Sequence, residues 1–298
     1  MSGVIVVGVD AHDQSRDATA LGAALAGAAG AELVLVHVHP IDPFADALAY
    51  QTGDEDPLRR EGETLLSRAA EAAAPLTPRT MTVAAASTVG GLHRVAAREN
   101  AELLVVGSSH RGPVGRTLLG SHSERVLAGA PCPVAVAPHG LAGGSWTPRQ
   151  IVVAFDGSTE AHEALALARR LASETGAKIR LVGVAVGPLD RWEYQYTPDW
   201  REVEQRREAE LRQMLRDEAG EGVETELRLG DAAEQLLDVS TETDLLVLGS
   251  RGYGPVRRVL LGSVSGRIVR DAPCPVIVVP RSAAVEVPEV QETSNNSG

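Results

Sequence analysis

Gly249, Gly252, Gly262, Ser263 and Ser265 follow the spacing G-x2-G-x9-G-S-x-S inside "GSRGYGPVRRVLLGSVS", a stretch that also carries Arg251, Arg257 and Arg258. Glycines let a chain turn sharply and let a ligand come close to its backbone. Hydroxyl residues suit the start of a helix, and Ser263 and Ser265 are N-cap candidates. The first N–H groups of a helix are unpaired and carry a partial positive charge. An anion placed there accepts several hydrogen bonds at once, so this is the chemistry of a phosphate cradle. Arg251, Arg257 or Arg258 can add charge. Asp156, which follows the apolar run "QIVVAF", places a carboxylate at a strand end. Taken singly, glycines punctuate loops and serines cap helices in many proteins; the combination with a strand-end Asp is far more specific.

Other chemistries are poorly represented. There is no G-x4-G-K-[ST], hence no Walker lysine to stabilise a γ-phosphate during transfer. No G-x-G-x-x-G follows the first strand, and no Ser/His/Asp or Cys/His arrangement can be argued. Any phosphate hydrolysis is therefore expected to be weak.

The elements that must hold these residues come twice. Residues 107–138 and 249–280 align without a gap and share 19 of 32 residues, which marks an internal duplication. "VIVVGVDAHD" likewise matches "QIVVAFDGST", placing Asp10 over Asp156. Each half reads strand–helix four times and then a last strand. In the second half strands are expected near 150–155, 178–184, 223–229, 244–249 and 275–279, and helices near 159–175, 199–219, 231–241 and 263–271. Continuous apolar strands such as "LLVLG" and "VIVV" fit a parallel sheet covered on both faces. The expectation is an α/β protein of two tandem doubly wound domains, 1–138 and 150–280. A Gly/Ser/Pro linker (139–149) joins them, and a disordered acidic tail (281–298) follows. Ligands of such sheets bind beyond the carboxyl ends of the strands.

The motif, the strand-end Asp and the closing "PCPVIVVP" resemble the universal stress protein family, and the resemblance covers both halves. It implies a five-stranded parallel sheet of order 3-2-1-4-5 in each half. It also implies ATP binding where the motif is kept. In ATP-binding members the strand-end Asp lies near the adenosine, backbone after the second strand meets adenine, and the glycine motif holds ribose and phosphates. By matching position these are Asp156, Val184, Gly249, Gly252, Gly262, Ser263 and Ser265, with Arg251 and Val264 inside the same stretch. The first half keeps Asp10, Val38, Gly107, Gly120, Ser121 and Ser123. It departs at His110, which stands where the second glycine belongs, and at His122, which replaces Val264.

The net charge of −12 argues against nonspecific nucleic-acid binding and against docking on anionic membranes. No apolar run approaches the ~20 residues that span a bilayer, and the N-terminus reads as a cytoplasmic start. Cys132 and Cys274 occupy equivalent "APCPV" positions and read as small buried residues rather than a disulfide. His12, His37, His39, His110 and His122 all fall at the first half's ligand edge; scattered loop histidines are the simpler reading, and a metal or pH-responsive site the other. "DRWEYQYTPDW" (Asp190–Trp200) reads as a hydrophobic cap, a cover for the nucleotide or a partner surface. The last strands, "VAVAP" and "VIVVP", are apolar sheet edges that can pair the two halves within one chain; a homodimer is left open. The functional expectation is an ATP-binding stress-response or signalling protein whose occupancy biases conformation or partner binding. A slow ATPase or nucleotidyl-transfer enzyme and a nucleotide-free scaffold are the other readings.

Overall fold

Val/Leu-rich apolar runs form the central strands, and Ala/Leu-rich runs form the helices α1 and α5 that cover them. The computed structural model describes residues 3–41, 57–108, 122–185, 200–250 and 262–280. The first half comprises β1 (Val4–Gly8), α1 (Gln14–Ala29), β2 (Glu32–Pro40), α2 (Pro57–Ala72), β3 (Arg79–Ala85), α3 (Thr88–Arg98), β4 (Leu103–Gly107), α4 (His122–Leu127) and β5 (Val134–Ala137). The second comprises β6 (Gln150–Ala154), α5 (Thr159–Thr175), β7 (Lys178–Ala185), α6 (Trp200–Ala219), β8 (Glu224–Leu229), α7 (Ala232–Ser240), β9 (Leu245–Gly249), α8 (Ser263–Asp271) and β10 (Val276–Val279). Gly30 and Gly176 end α1 and α5 with φ of 59° and 75°, a left-handed conformation that glycine adopts without a steric penalty.

All ten strands form one sheet, in the order β3-β2-β1-β4-β5-β10-β9-β6-β7-β8. Within each half the strands run parallel. The halves meet at an antiparallel ladder between β5 and β10, with Val276 opposite Val136 and Val278 opposite Val134. The carboxyl ends of the two sets of strands therefore open on opposite edges of the sheet.

Alternation along each strand sends side chains to two apolar layers. Ile151, Val153, Leu245 and Val247 pack under α5, and Ile5, Val7, Leu103 and Val105 under α1. Val152, Val182, Leu246 and Leu248 face α7 and α8. Both outer edge strands carry ion-paired arginines: Arg79 with Glu32 and Glu99 on β3, and Arg228 with Glu226 and Asp238 on β8. Charges of this kind discourage further strand addition.

The segment 139–149 is more than a flexible connector. The Asp17 carboxylate, buried on α1, accepts N–H bonds from Gly140 (3.0 Å) and Ala142 (2.8 Å), at a short 3₁₀ turn, Leu141–Gly143. Asp244 Oδ2 accepts from the N–H groups of Arg149 and Gln150, each at 2.9 Å, and the Asp244 carbonyl accepts from Trp146 Nε1 at 3.3 Å. Leu141 and Trp146 pack against the α1/α5 layer. The tail 281–298, most of the aromatic stretch, Arg251, Gly252, Gly120, Ser121 and His110 lie outside the described residues.

Candidate functional site

At the carboxyl end of β6 the chain turns through Phe155–Ser158 into α5. Phe155 N–H donates to Val182 O (2.8 Å), which keeps the turn against β7. Gly157 sits at φ +79°, with Met214 of α6 so close that an added Cβ would lie 2.8 Å from its sulfur. Asp156 Oδ1 accepts the Ser158 N–H (3.0 Å), and Ser158 Oγ accepts the Ala161 N–H (3.2 Å) as the N-cap of α5. The turn is thus a closed hydrogen-bonded unit that presents an exposed carboxylate at the rim.

Across the cleft, α8 follows Gly262, whose extended backbone is the N-cap, and among the described residues no side chain caps the first turn. This corrects the expectation of a serine cap. Ser265, buried, donates its hydroxyl to Gly262 O (3.2 Å) instead, and so fixes the helix start. The leading amides of α8 have no acceptor within the helix and border the cleft.

Gly249 also has a different reason from the one its motif suggests. A Cβ there would lie 2.6 Å from Glu160 Cβ and 3.0 Å from the Glu160 carbonyl carbon. The glycine admits the first turn of α5 against the end of β9. Gly107 has the same relation to the Gln14 backbone at the start of α1.

Between these walls lies a cavity of about 270 Å³. Val182, Val184, Leu236 and Leu248 give it an apolar floor, Asp156 and Ser158 form one rim, and Gly262, Ser263, Val264 and Ser265 form the other. It thus brings together Asp156, Val184, Gly249, Gly262, Ser263, Val264 and Ser265. Residues missed in the sequence include Phe155, Val182, Leu236 and Leu248. Two of them had a signal, since Val182 is two positions before Val184 on one strand face and Leu248 shares that face.

The first half has the corresponding cavity, about 410 Å³, and it brings together Asp10, Val38, Gly107 and Ser123. Its floor is Val36, Val38, Leu92 and Val106. Its polar equipment differs. Asp10 Oδ1 accepts the His12 N–H (2.9 Å), Oδ2 lies 3.3 Å from His12 Nδ1, and Asp10 N–H donates to Ser15 Oγ (3.0 Å). Ser15 and Thr88 stand where the second cavity has Ala161 and Ala232. The helix on this side, α4, is described from His122 to Leu127.

The described histidines of this edge make separate contacts. His37 Nδ1 donates to Val9 O (2.9 Å) and His39 Nδ1 to Pro40 O (3.1 Å), while His12 sits at the rim. Among the described residues no three His, Cys, Asp or Glu side chains group as a metal ion would require. Cys132 and Cys274 are buried and unpaired, and burial pushes both thiols up to about 12.

Residues 1–138 and 148–280 each match the model of the Universal stress protein family. The chain belongs to the universal stress protein family. A member from Mycobacterium tuberculosis is 30% identical over 291 residues, covering 93% of this chain and 97% of that relative. A member from Thermus aquaticus is 38% identical over 138 residues, which is 44% of this chain but 98% of that protein. One universal stress protein domain therefore corresponds to about half of this chain. The crystal structure of a universal stress protein from Archaeoglobus fulgidus shares the fold at TM-score 0.68 and 23% identity, covering 94% of this chain and 99% of that one. Among the described residues no helix is long and apolar enough to cross a membrane.

Proposed function

We propose that this chain is an adenine-nucleotide-binding stress-response or signalling protein, with its main site in the second half. The supporting observation is the juxtaposition in one cavity of an apolar floor and the uncapped start of α8, with the Asp156 carboxylate on the opposite rim. A planar base suits Val184 and Leu236. A ribose hydroxyl suits Asp156. An anionic tail suits the amides of Ser263, Val264 and Ser265, where helix-terminal N–H groups and dipole favour negative charge. Gly252 and Arg251 complete the set by their place in the motif. ATP is the ligand of choice, and Mg²⁺ would accompany its phosphates.

The first-half cavity is a second and non-equivalent site, with Asp10, Val38, Gly107, Gly120, Ser121 and Ser123 in the matching places. The His110 substitution makes it the weaker nucleotide site. Occupancy acts as a signal only if ATP binds one conformation better than another. The two buried, unpaired thiols suit a reducing compartment, the cytoplasm.

The test is an equilibrium titration of ATP into the full chain and into Gly252→Val. Loss of the tighter saturable phase in Gly252→Val, with melting behaviour preserved, supports the reading. Equal affinity in the two proteins removes the second-half assignment.

A further inference from the structure

His162 lies one turn into α5 and touches the Asp156 turn from the side away from the cavity. Its Nδ1 is 2.8 Å from Ser158 O, its Nε2 is 3.2 Å from Glu218 Oε1 near the end of α6, and its ring meets Phe155 edge-on at 5.0 Å between centroids. Both ring nitrogens therefore face oxygens that only accept. A neutral imidazole has one N–H and can satisfy one of them; its other nitrogen then turns a lone pair toward an acceptor. Only the doubly protonated ring satisfies both.

We infer that protonated His162 is a positioning residue that ties the Phe155–Ser158 turn to α6, and that this tie loosens when the ring loses its proton. Ser158 is the residue whose N–H closes on Asp156 and whose hydroxyl caps α5, so the tie acts on the rim that carries the carboxylate. α6 is coupled to the same turn a second time, through Met214 over Gly157. The charged groups around the ring are Glu218 from α6 and Asp156 from the turn, both favouring the cation. Arg169, on α5, donates to the carbonyls of Glu218 and Ala219 and so holds the end of α6 in place. The hydrogen bond to Ser158 O, then Glu218, raise the His162 pKa above the ordinary 6.5. A raised value means the tie is complete below the unfolded-state pKa and is lost as pH rises through the folded-state one. Arg16 holds the equivalent place in the first half, so the device belongs to the second half alone.

His162 and Glu218 are 46% and 38% exposed, and pairs at such exposure shift equilibria by about two- to fivefold. The effect on ligand rests on the functional reading above; the tie itself does not. In the ligand-free full chain, ring ¹⁵N chemical shifts report the His162 titration, and amide-exchange protection of residues 155–158, corrected for intrinsic rates, reports the turn. The expected result is a His162 pKa above the ordinary value that falls in Glu218→Gln. Turn protection should drop about two- to fivefold through that titration in the wild type and stay flat in Glu218→Gln. A His162 titration unmoved by Glu218→Gln, or protection that ignores it, overturns the inference. ATP affinity compared between the two proteins at pH 6 and pH 8 cancels the ligand's own titration. The wild-type advantage should exist only at the lower pH, and an equal advantage at both pH values also overturns it. Absence of ATP binding alongside a responsive turn would instead count against the nucleotide assignment and leave the tie standing.

Discussion

Replacing Gly249 by alanine tests whether that glycine serves the packing of α5 or the ligand. The new methyl would sit 2.6 Å from Glu160 Cβ and 3.0 Å from the Glu160 carbonyl carbon, where ordinary contact begins near 3.4 Å. The first turn of α5 must move outward by most of an ångström. That turn holds the Ser158 cap, so it cannot swing freely. Overpacking of this kind costs about 1–3 kcal/mol. For a domain of this size the melting temperature falls by roughly 2–4 °C for each kcal/mol. Differential scanning calorimetry of the nucleotide-free protein measures it directly. Gly27→Ala is the control: it lies within α1, an added Cβ meets nothing within 4 Å, and alanine should raise helix stability by up to ~1 kcal/mol. An unchanged melting temperature in Gly249→Ala, with ATP binding lost, would refute the packing account.

Other perturbations follow from the same geometry. Ser158→Ala removes the α5 cap and should cost about 0.5–2 kcal/mol in chemical denaturation. Asp17→Ala leaves the Gly140 and Ala142 amides without their acceptor, so amide exchange at 139–142 should accelerate and stability should drop by about 1–3 kcal/mol. Cys132 and Cys274, buried and with thiols pushed up to about 12, should resist alkylation at pH 8 until the protein unfolds.

Much of the fold was legible because its signals are local. "LLVLG" and "VIVV" announce buried strands, Gly30 and Gly176 stop their helices, and the duplicated stretches 107–138 and 249–280 reveal two copies of one unit. The site was legible where a motif carried it: Asp156 and Gly262–Ser265 do share one cavity. What stayed hidden depends on distant partners. Nothing near Gly249 reveals that its neighbour is Glu160. Nothing near the 139–149 segment reveals that Asp17 and Asp244 hold it. A serine one or three residues past a glycine looks like a cap in sequence, and only the extended backbone of Gly262 assigns the cap to the glycine. The tie through His162 depends on Glu218 from another helix, so spacing alone could not expose it.

Backbone-amide spectra of the ¹⁵N-labelled chain, recorded while ATP is added, test the central claim most directly. The account predicts saturable shifts led by the amides of Ser263, Val264 and Ser265 and by residues 155–158, before any change at the first-half rim. Unmoved amides at the start of α8 up to millimolar ATP, or shifts confined to a different surface, would contradict it.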